Sequence, residues 1–229
     1  MKKIGSHVMI LFAAAILMIT AVIPVSASSQ QSIYEHTNYV YLDKDTKKYP
    51  YSSFPYSLTS TKQIKNLKIS NKDVTTVKVR RTSKKKDGEV ADYYKIAVET
   101  FFMGEGKSTV SYTYTEKGGK KRKVIDHYII KKYSNPVKSL KIGKKEYQKK
   151  FNNTTHFKIK KKNIRNKKIK VQLNKGWKLE KITRATSDFK FTNYKNGAKI
   201  PFNKKDVLQI WFHRKNNKQD HQLLYIQIR

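Results

Sequence analysis

Cysteine is absent from all 229 residues of the chain. A fold without cysteine has no disulfides, so a disulfide-stapled mini-protein is excluded and the apolar core alone must hold the structure. A thiol nucleophile is excluded for the same reason. No cysteine follows the apolar N-terminal run, which also excludes lipid attachment there.

Acidic side chains are scarce, with 16 Asp and Glu against 51 Lys and Arg and a formal charge of +35. AT-rich codon bias explains why Lys outnumbers Arg, but the same bias favours Glu and so leaves the acid deficit unexplained. Self-repulsion at this charge opposes compaction, which favours an anionic partner over solubility alone. The 15 Tyr and 10 Phe supply core-forming surface that a disordered polycation would lack.

Long apolar runs are missing after residue 25. The run before it, Val8 to Ile23, follows Met1-Lys2-Lys3 and precedes Val25-Ser26-Ala27. This order predicts a secretory signal peptide, residues 1–27, cleaved after Ala27. A retained membrane anchor is the alternative, because the run approaches the roughly 18 residues that suggest a span. Cleavage leaves 202 residues of charge +33, expected to be secreted, extracellular or cell-wall-associated.

Sustained apolar spacing of 3.6 residues is absent after the signal, so we expect few helices. Short alternating runs recur instead, separated by Gly-containing turns, as in a sandwich or barrel. A pause at Ser134-Asn135-Pro136 indicates a domain junction. We therefore expect an extended leader at 28–60, in which Tyr39-Val40-Tyr41-Leu42 has the pattern of a first strand. A β-sandwich is expected at 61–133 and a strongly basic second β-sandwich at 134–229; one larger sandwich is the alternative.

A Ser-Asn step at Ser70-Asn71 leads into Val74-Thr75-Thr76-Val77, and Gly104-Glu105-Gly106 later precedes a run of small β-forming residues. These features resemble bacterial immunoglobulin-like domains of group 2, over about residues 60–133. The resemblance implies a surface-display or adhesion role and supplies no catalytic residues. The predicted fold class is all-β, with two tandem immunoglobulin-like β-sandwich domains after the signal peptide.

Catalytic and metal-binding signatures are lacking. Five histidines remain after the signal, none at the spacing of a zinc site. Asp43-Lys44-Asp45 opens like a calcium loop, but the later ligands of such a loop are missing. We predict no enzyme, catalytic residue, metal or cofactor. Carboxylate pairs need only spatial proximity, so a hydrolase acting on an acidic polysaccharide or wall polymer stays an alternative, as does a secreted cationic toxin or inhibitor.

The positive charge is concentrated in the second half: residues 28–133 have a net charge of +11 and residues 134–229 one of +22. No acid occurs between Glu146 and Glu180. Side chains alternate along a strand, so burial of the apolar neighbours would send the lysines outward. If the two strands that carry them are neighbours, they form one cationic face. The predicted polyanion-binding residues are Lys158, Lys160, Lys161, Lys162, Arg165, Lys167, Lys168, Lys170 and Lys178.

The same lysines have a second explanation, since outward lysines also protect sheet edges against aggregation. Lys is a hydrated point charge, whereas Arg offers a planar fork that selects a shaped anion. With 44 Lys and 7 Arg, we expect diffuse, salt-sensitive binding to a repeating polymer. The expected partner is an anionic envelope polymer such as teichoic acid, an acidic polysaccharide or an anionic lipid surface. Export makes nucleic acid an unfavoured partner.

Overall fold

The computed structural model describes residues 32–44, 46, 49–55, 58–82, 95–116, 118–188 and 190–229. The predicted signal peptide and its cleavage site lie outside these residues. The described residues form fifteen β-strands and three short 3-10 helices, with no α-helix among them. The all-β prediction is therefore confirmed.

The chain divides into two compact units that are interleaved in sequence. The first contains the described residues up to Thr37 and those in Thr46–Ile130, and the second contains Asn38–Asp45 and Lys131–Arg229. The boundary predicted between residues 133 and 134 thus lies close to the division after Ile130. Each unit has two sheets of its own, in agreement with two tandem sandwiches rather than one.

The first unit contains a four-stranded sheet of order β1-β7-β6-β3 and a three-stranded sheet of order β2-β5-β4. Tyr128 packs edge-on against Phe102 and Tyr51 of the other sheet, with ring centroids 5.0 and 5.9 Å apart. The two sheets therefore share one core. The strands are β1 (Ser32–Leu42), β2 (Tyr51–Ser53), β3 (Lys65–Ile69), β4 (Thr75–Arg81), β5 (Ile96–Phe102), β6 (Gly106–Thr115) and β7 (Lys121–Lys132).

The second unit contains a five-stranded sheet of order β10-β15-β14-β12-β13 and a three-stranded sheet of order β11-β8-β9. Only the pairing of β10 with β15 is parallel among the pairings described in this unit. The strands are β8 (Val137–Ile142), β9 (Lys145–Glu146), β10 (His156–Ile159), β11 (Ile169–Leu173), β12 (Trp177–Ala185), β13 (Phe191–Tyr194), β14 (Val207–Arg214) and β15 (Asn217–Ile228).

One apolar cluster fills the space between these two sheets. Leu140 and Ile169 of the three-stranded sheet belong to the same buried cluster as Ile210, Phe212 and Leu224 of the five-stranded sheet. Successive side chains of a strand point to opposite faces, so residues two apart enter this core together. The predicted final hairpin is confirmed as β14 paired antiparallel with β15.

The prediction of a separate extended leader at 28–60 differs from the structure. β1 is a strand of eleven residues within the four-stranded sheet. Its last part is tied to the second unit, where the Tyr41 hydroxyl donates to Asp220 Oδ1 at 2.6 Å and the Thr155 N–H donates to Asp43 Oδ2 at 2.6 Å. The sequence could not indicate this, because the partners lie more than 100 residues away.

Candidate anion-binding surface

The two lysine-bearing strands are in different sheets. β10 is an edge strand of the five-stranded sheet and pairs with β15, whereas β11 is an edge strand of the three-stranded sheet and pairs with β8. The condition for a single cationic face, that these two strands are neighbours, is therefore not met. The segment between them, which includes a 3-10 helix at Lys161–Asn163, leads the chain from one sheet to the other.

Backbone hydrogen bonds tie this connecting segment to two distant parts of the second unit. Lys161 N–H donates to the Arg229 carbonyl at 2.9 Å, and Asn166 N–H donates to the Ile200 carbonyl at 3.3 Å. Lys168 forms an isolated β-bridge with Lys199. The segment therefore lies beside the chain terminus and beside the loop that precedes β14.

These contacts define a surface that we call the basic end. Its ten members are exposed apart from Lys161, which is half-buried. None of them forms an ion pair with a carboxylate in the described part of the chain. The basic end comprises Lys160, Lys161, Lys162, Arg165, Lys167, Lys168, Lys199, Lys204, Lys205 and Arg229.

The carboxylate beside the basic end is not available to neutralise it. Asp206 is 2% exposed and accepts hydrogen bonds from Arg184 Nε and Asn203 N–H, both at 2.7 Å. No other acid occurs in residues 160–168 or 198–206. The basic end therefore presents uncompensated positive charge to solvent, which raises the local concentration of anions.

Edge protection is a weak explanation for the lysines of β11, because the free edge of that strand is already bonded. Ile169 N–H donates to the Ala198 carbonyl at 3.0 Å, and Gly197 N–H donates back to the Ile169 carbonyl at 2.7 Å. The Asn196 amide bonds both the N–H and the carbonyl of Val171 at 2.9 Å. A covered edge does not need lysines to prevent strand addition.

Lys178 lies far from the basic end. It is exposed, as predicted, but pairs with His213 on β14. At the opposite end of β12, Ala185 pairs with Val207 of β14, and Val207 pairs with Gln227 of β15. Gln227 also pairs with Lys158 of β10, so Lys158 is level with Ala185. Seven residues of strand separate the two levels, or about 23 Å at 3.3 Å per residue. Lys178 therefore does not belong with the other predicted residues.

Lys158 and Lys170 lie on strands that flank the basic end. Lys158 is exposed on β10, and Lys170 is exposed on β11 opposite Lys141. Like charges directly opposite each other destabilise a sheet, so this lysine pair is a cost that an external anion would relieve. Glu146 also pairs with Lys141 across β8 and β9, which partly offsets the repulsion.

Glu146 is itself held by four donors. Its carboxylate accepts from the Ser139 hydroxyl at 2.6 Å and from the backbone N–H groups of Leu140, Tyr147 and Gln148 at 2.7 to 3.1 Å. Burial opposes ionisation, but the hydrogen bonds from Ser139 and the three N–H groups outweigh it and lower the pKa of Glu146. Its charge therefore serves the β8–β9 hairpin.

Lys199, Lys204, Lys205 and Arg229 were missed by sequence reasoning. Their contribution depends on contacts that join segments 30 to 70 residues apart in the chain. A weaker signal was present, since no acid occurs between Asp188 and Asp206. A search for acid-free runs over the whole second half would have included three of the four.

The described residues contain no group of three or more His, Asp or Glu placed to hold a metal ion. None of the described helices combines the length and apolarity needed to cross a membrane. The feature of the described residues that bears on function is the exposed positive charge of the basic end.

No family model matches the chain, and no curated protein matches it. The solved structures with some similarity include the protocadherin GammaB4 extracellular domain, at 7% identity and a TM-score of 0.25, covering 86% of this chain and 31% of that one. Mouse clustered PcdhgC3 EC1-3 has 6% identity, a TM-score of 0.23 and coverages of 87% and 66%. Protocadherin Gamma B7 cadherin domains 1-4 have 6% identity, a TM-score of 0.21 and coverages of 87% and 49%.

The chain therefore spans 31% to 66% of the length of these three structures. At such TM-scores they carry no argument about this protein, whose β-sandwich architecture is evident from its own sheets and cores. Membership of the bacterial immunoglobulin-like group 2 family stays a prediction.

Proposed function

We propose that this protein is an exported, non-enzymatic binding protein that attaches to an anionic envelope polymer through the basic end of its second unit. The observation that carries the proposal is that ten Lys and Arg side chains lie beside one acidic side chain, Asp206, which is buried and already hydrogen-bonded. Nine exposed and one half-buried cation attract a repeating polyanion without any shaped pocket.

Lys dominates this surface, with eight Lys and two Arg. Arg would favour bidentate recognition of single phosphate or carboxylate groups, whereas Lys acts as a point charge. The expected binding is therefore strong at low salt, weak at high salt and tolerant of the polymer's fine structure. A wall teichoic acid or an acidic polysaccharide fits this description for an exported protein.

The test measures the affinity of the chain from residue 28 onward for polyglycerol phosphate at several salt concentrations. Each lost phosphate contact lowers the slope of log affinity against log salt by about one. The variant Lys161→Gln, Lys162→Gln, Arg165→Gln, Lys167→Gln removes four charges from the basic end. We expect a slope smaller by about two to four and a large loss of affinity at low salt.

A matched control removes four exposed lysines at the opposite end of the same unit, Lys175, Lys178, Lys215 and Lys218. Backbone contact between Lys215 and Gly176 places these residues around the β14–β15 turn. The control is expected to keep most of the slope although its net charge is identical. Equal losses in both variants would show that total charge alone matters and would overturn the assignment to the basic end.

A further inference from the structure

The first unit carries a polar groove on the outer face of its four-stranded sheet. Along β6, Ser108, Val110, Tyr112 and Tyr114 are buried, so the residues between them project to the opposite face. The groove has a volume of about 280 Å³, close to the lower limit of ligand pockets, about 300 Å³. It is lined by Asn66, Lys68, Ser111, Tyr112, Thr113 and Lys123.

The lining residues come from three adjacent strands. Lys68 of β3 is level with Ser111 of β6, and Lys123 of β7 is level with Thr113. Neighbouring strands are about 4.8 Å apart, so β3 and β7 are separated by about 10 Å. The two lysines are also offset by two residues along the strands, so their Cα atoms are about 12 Å apart on either side of a row of hydroxyl groups. Their long side chains can reach one anion held between them.

Asn66 adds an amide donor at the edge of the groove. The pairing of β3 with β6 shifts register between Lys65 and Lys68, and Asn66 adopts a φ of +53°, a left-handed conformation that Asn tolerates better than most residues. Such irregularities re-aim side chains and are frequent beside binding sites. Asn66 Nδ2 donates to Thr113 Oγ1 at 3.2 Å, which leaves its second N–H available.

The hydroxyl groups of the groove differ in what they can still bind. Thr113 Oγ1 donates to the Lys65 carbonyl at 3.3 Å and accepts from Asn66, so its proton is committed. Ser111 makes no side-chain hydrogen bond to any residue that the structure describes, and its hydroxyl can donate to a ligand. The free donors thus converge from Lys68, Ser111, Lys123 and Asn66.

None of the described residues that line the groove is acidic. The carboxylate of Glu35 on β1 reaches the neighbouring β7, where it is bound to His127 Nε2 at 2.7 Å. β3 and β6 contain no acidic residue, and Asp126 of β7 is buried. Glu116, just beyond β6, accepts a hydrogen bond from Arg122 Nη2 at 2.9 Å. A groove with two cations, one hydroxyl donor and one amide donor, but no acceptor charge, is complementary to an anion.

We propose that this groove is a phosphate-binding site, separate from the basic end, that holds one phosphodiester group of a polymer. Phosphate suits it better than carboxylate because the groove offers two separate point charges, Lys68 and Lys123, with a hydroxyl and an amide donor between them, and a phosphate group presents several oxygens to such separate donors. A planar carboxylate is better served by the fork of an Arg, and no Arg lines the groove. The site would give the chain a second point of attachment and hence higher avidity for a long polymer.

The test is an NMR titration of the chain from residue 28 onward with glycerol phosphate, following the backbone N–H signals of Ser111 and Thr113. Acetate at equal ionic strength is the parallel arm. We expect saturable shifts with glycerol phosphate and an affinity for acetate at least about tenfold lower. Equal responses to both anions would overturn the assignment to phosphate.

The variant Lys68→Gln, Lys123→Gln removes both cations that line the groove. Its control, Lys65→Gln, Lys121→Gln, removes two lysines from the same two strands that do not line it. We expect at least a tenfold loss of glycerol phosphate affinity in the first variant and less than about threefold in the second. Equal losses would show that glycerol phosphate is attracted by the overall positive charge and not by the groove, which would refute the proposal.

Measuring the same titration in the background of the four-fold basic-end variant separates the two proposals. An unchanged affinity at Ser111 and Thr113 in that background supports an independent site. A lost affinity there would mean that the signals report the basic end, which would refute the groove while leaving the proposed function intact. Circular dichroism melting curves verify that every variant is folded.

Discussion

Asp220 is a buried carboxylate with two partners in the second unit. It is 3% exposed, accepts from the Tyr41 hydroxyl at 2.6 Å through Oδ1, and accepts from Lys131 Nζ at 2.5 Å through Oδ2. Tyr41 belongs to the segment Asn38–Asp45 and Lys131 begins the segment Lys131–Arg229, so this carboxylate links the two segments that make up the second unit. We predict that Asp220→Ala lowers the free energy of unfolding of the second unit by about 3 kcal/mol.

The magnitude follows from what each partner loses. Tyr41 is 5% exposed, and burial together with the bond to Asp220 raises the pKa of Tyr41, so its hydroxyl stays a protonated donor. Arg214 Nε donates to the Tyr41 oxygen at 3.3 Å and cannot replace the lost acceptor. Removal of the acceptor of a buried hydrogen bond costs about 1–3 kcal/mol.

The loss of the ion pair with Lys131 contributes less to the destabilisation, because the Lys131 side chain is 38% exposed and water can replace part of the interaction. Solvent screening reduces this contribution to about 1 kcal/mol or below. The total of about 3 kcal/mol is at the lower limit of the 3–5 kcal/mol observed when one partner of a buried ion pair is removed. Asp220→Asn retains one acceptor and should cost less than Asp220→Ala.

Tryptophan fluorescence during urea denaturation is the appropriate assay. Trp177 and Trp211 are the only tryptophans in the chain, and both belong to the second unit. Tyr41→Phe is the matched control, since it removes the hydroxyl but leaves Asp220 with Lys131; we expect a loss of about 1 kcal/mol. A free energy for Asp220→Ala within about 0.5 kcal/mol of the unsubstituted chain would refute the reasoning.

Two further predictions concern pH. The lowered pKa of Glu146 means that its stabilising effect is present above its ordinary value of 4.5 and is lost as pH falls through the lower folded value. Glu146→Gln should therefore cost about 1 kcal/mol at pH 7 and progressively less below about pH 4.5 in urea denaturation; a constant difference would contradict this. The ion pair of His36 Nδ1 with Asp126 Oδ1, 3.6 Å apart, raises the pKa of His36 despite burial. The stabilisation from this pair is therefore fully present below pH 6.5 and is lost as pH rises through the folded pKa. His36→Gln should destabilise the first unit by a few tenths of a kcal/mol at pH 6, since His36 is 46% exposed, and by nothing at pH 9; an equal effect at both values would count against the pair.

The strand pattern was accessible from sequence wherever each strand packs one face on a nearby core. β6 alternates buried and half-exposed residues over its length, and its neighbour β7 does the same. β14 was harder, because Val207–His213 are buried on both faces and the alternation is lost. β1 was only partly recognised, because its burial depends on partners from two units rather than on its own pattern.

For the candidate site, too, the sequence predicted local features but not long-range ones. The local alternation correctly predicted that Lys158, Lys170 and Lys178 are exposed, since each follows a core-facing neighbour on its strand. The sequence did not predict which of these lysines lie together, because sequence spacing contains no information on which sheet a strand joins. The membership of β10 and β11 in different sheets, and the arrival of Lys199 and Lys205 beside the connecting segment, depend on long-range pairing.

The amino-acid sequence by itself determined that this protein is a chain of short strands, that it is strongly cationic and that its acids are rarest in the second half. These properties depend on composition and on neighbours one or two residues apart. The tertiary structure alone decided that segment 38–45 belongs to the second unit, that Asp206 is buried beside the basic end, and that Lys68 and Lys123 flank Ser111. Those facts depend on backbone hydrogen bonds and packing between residues distant in sequence, which local sequence patterns do not specify.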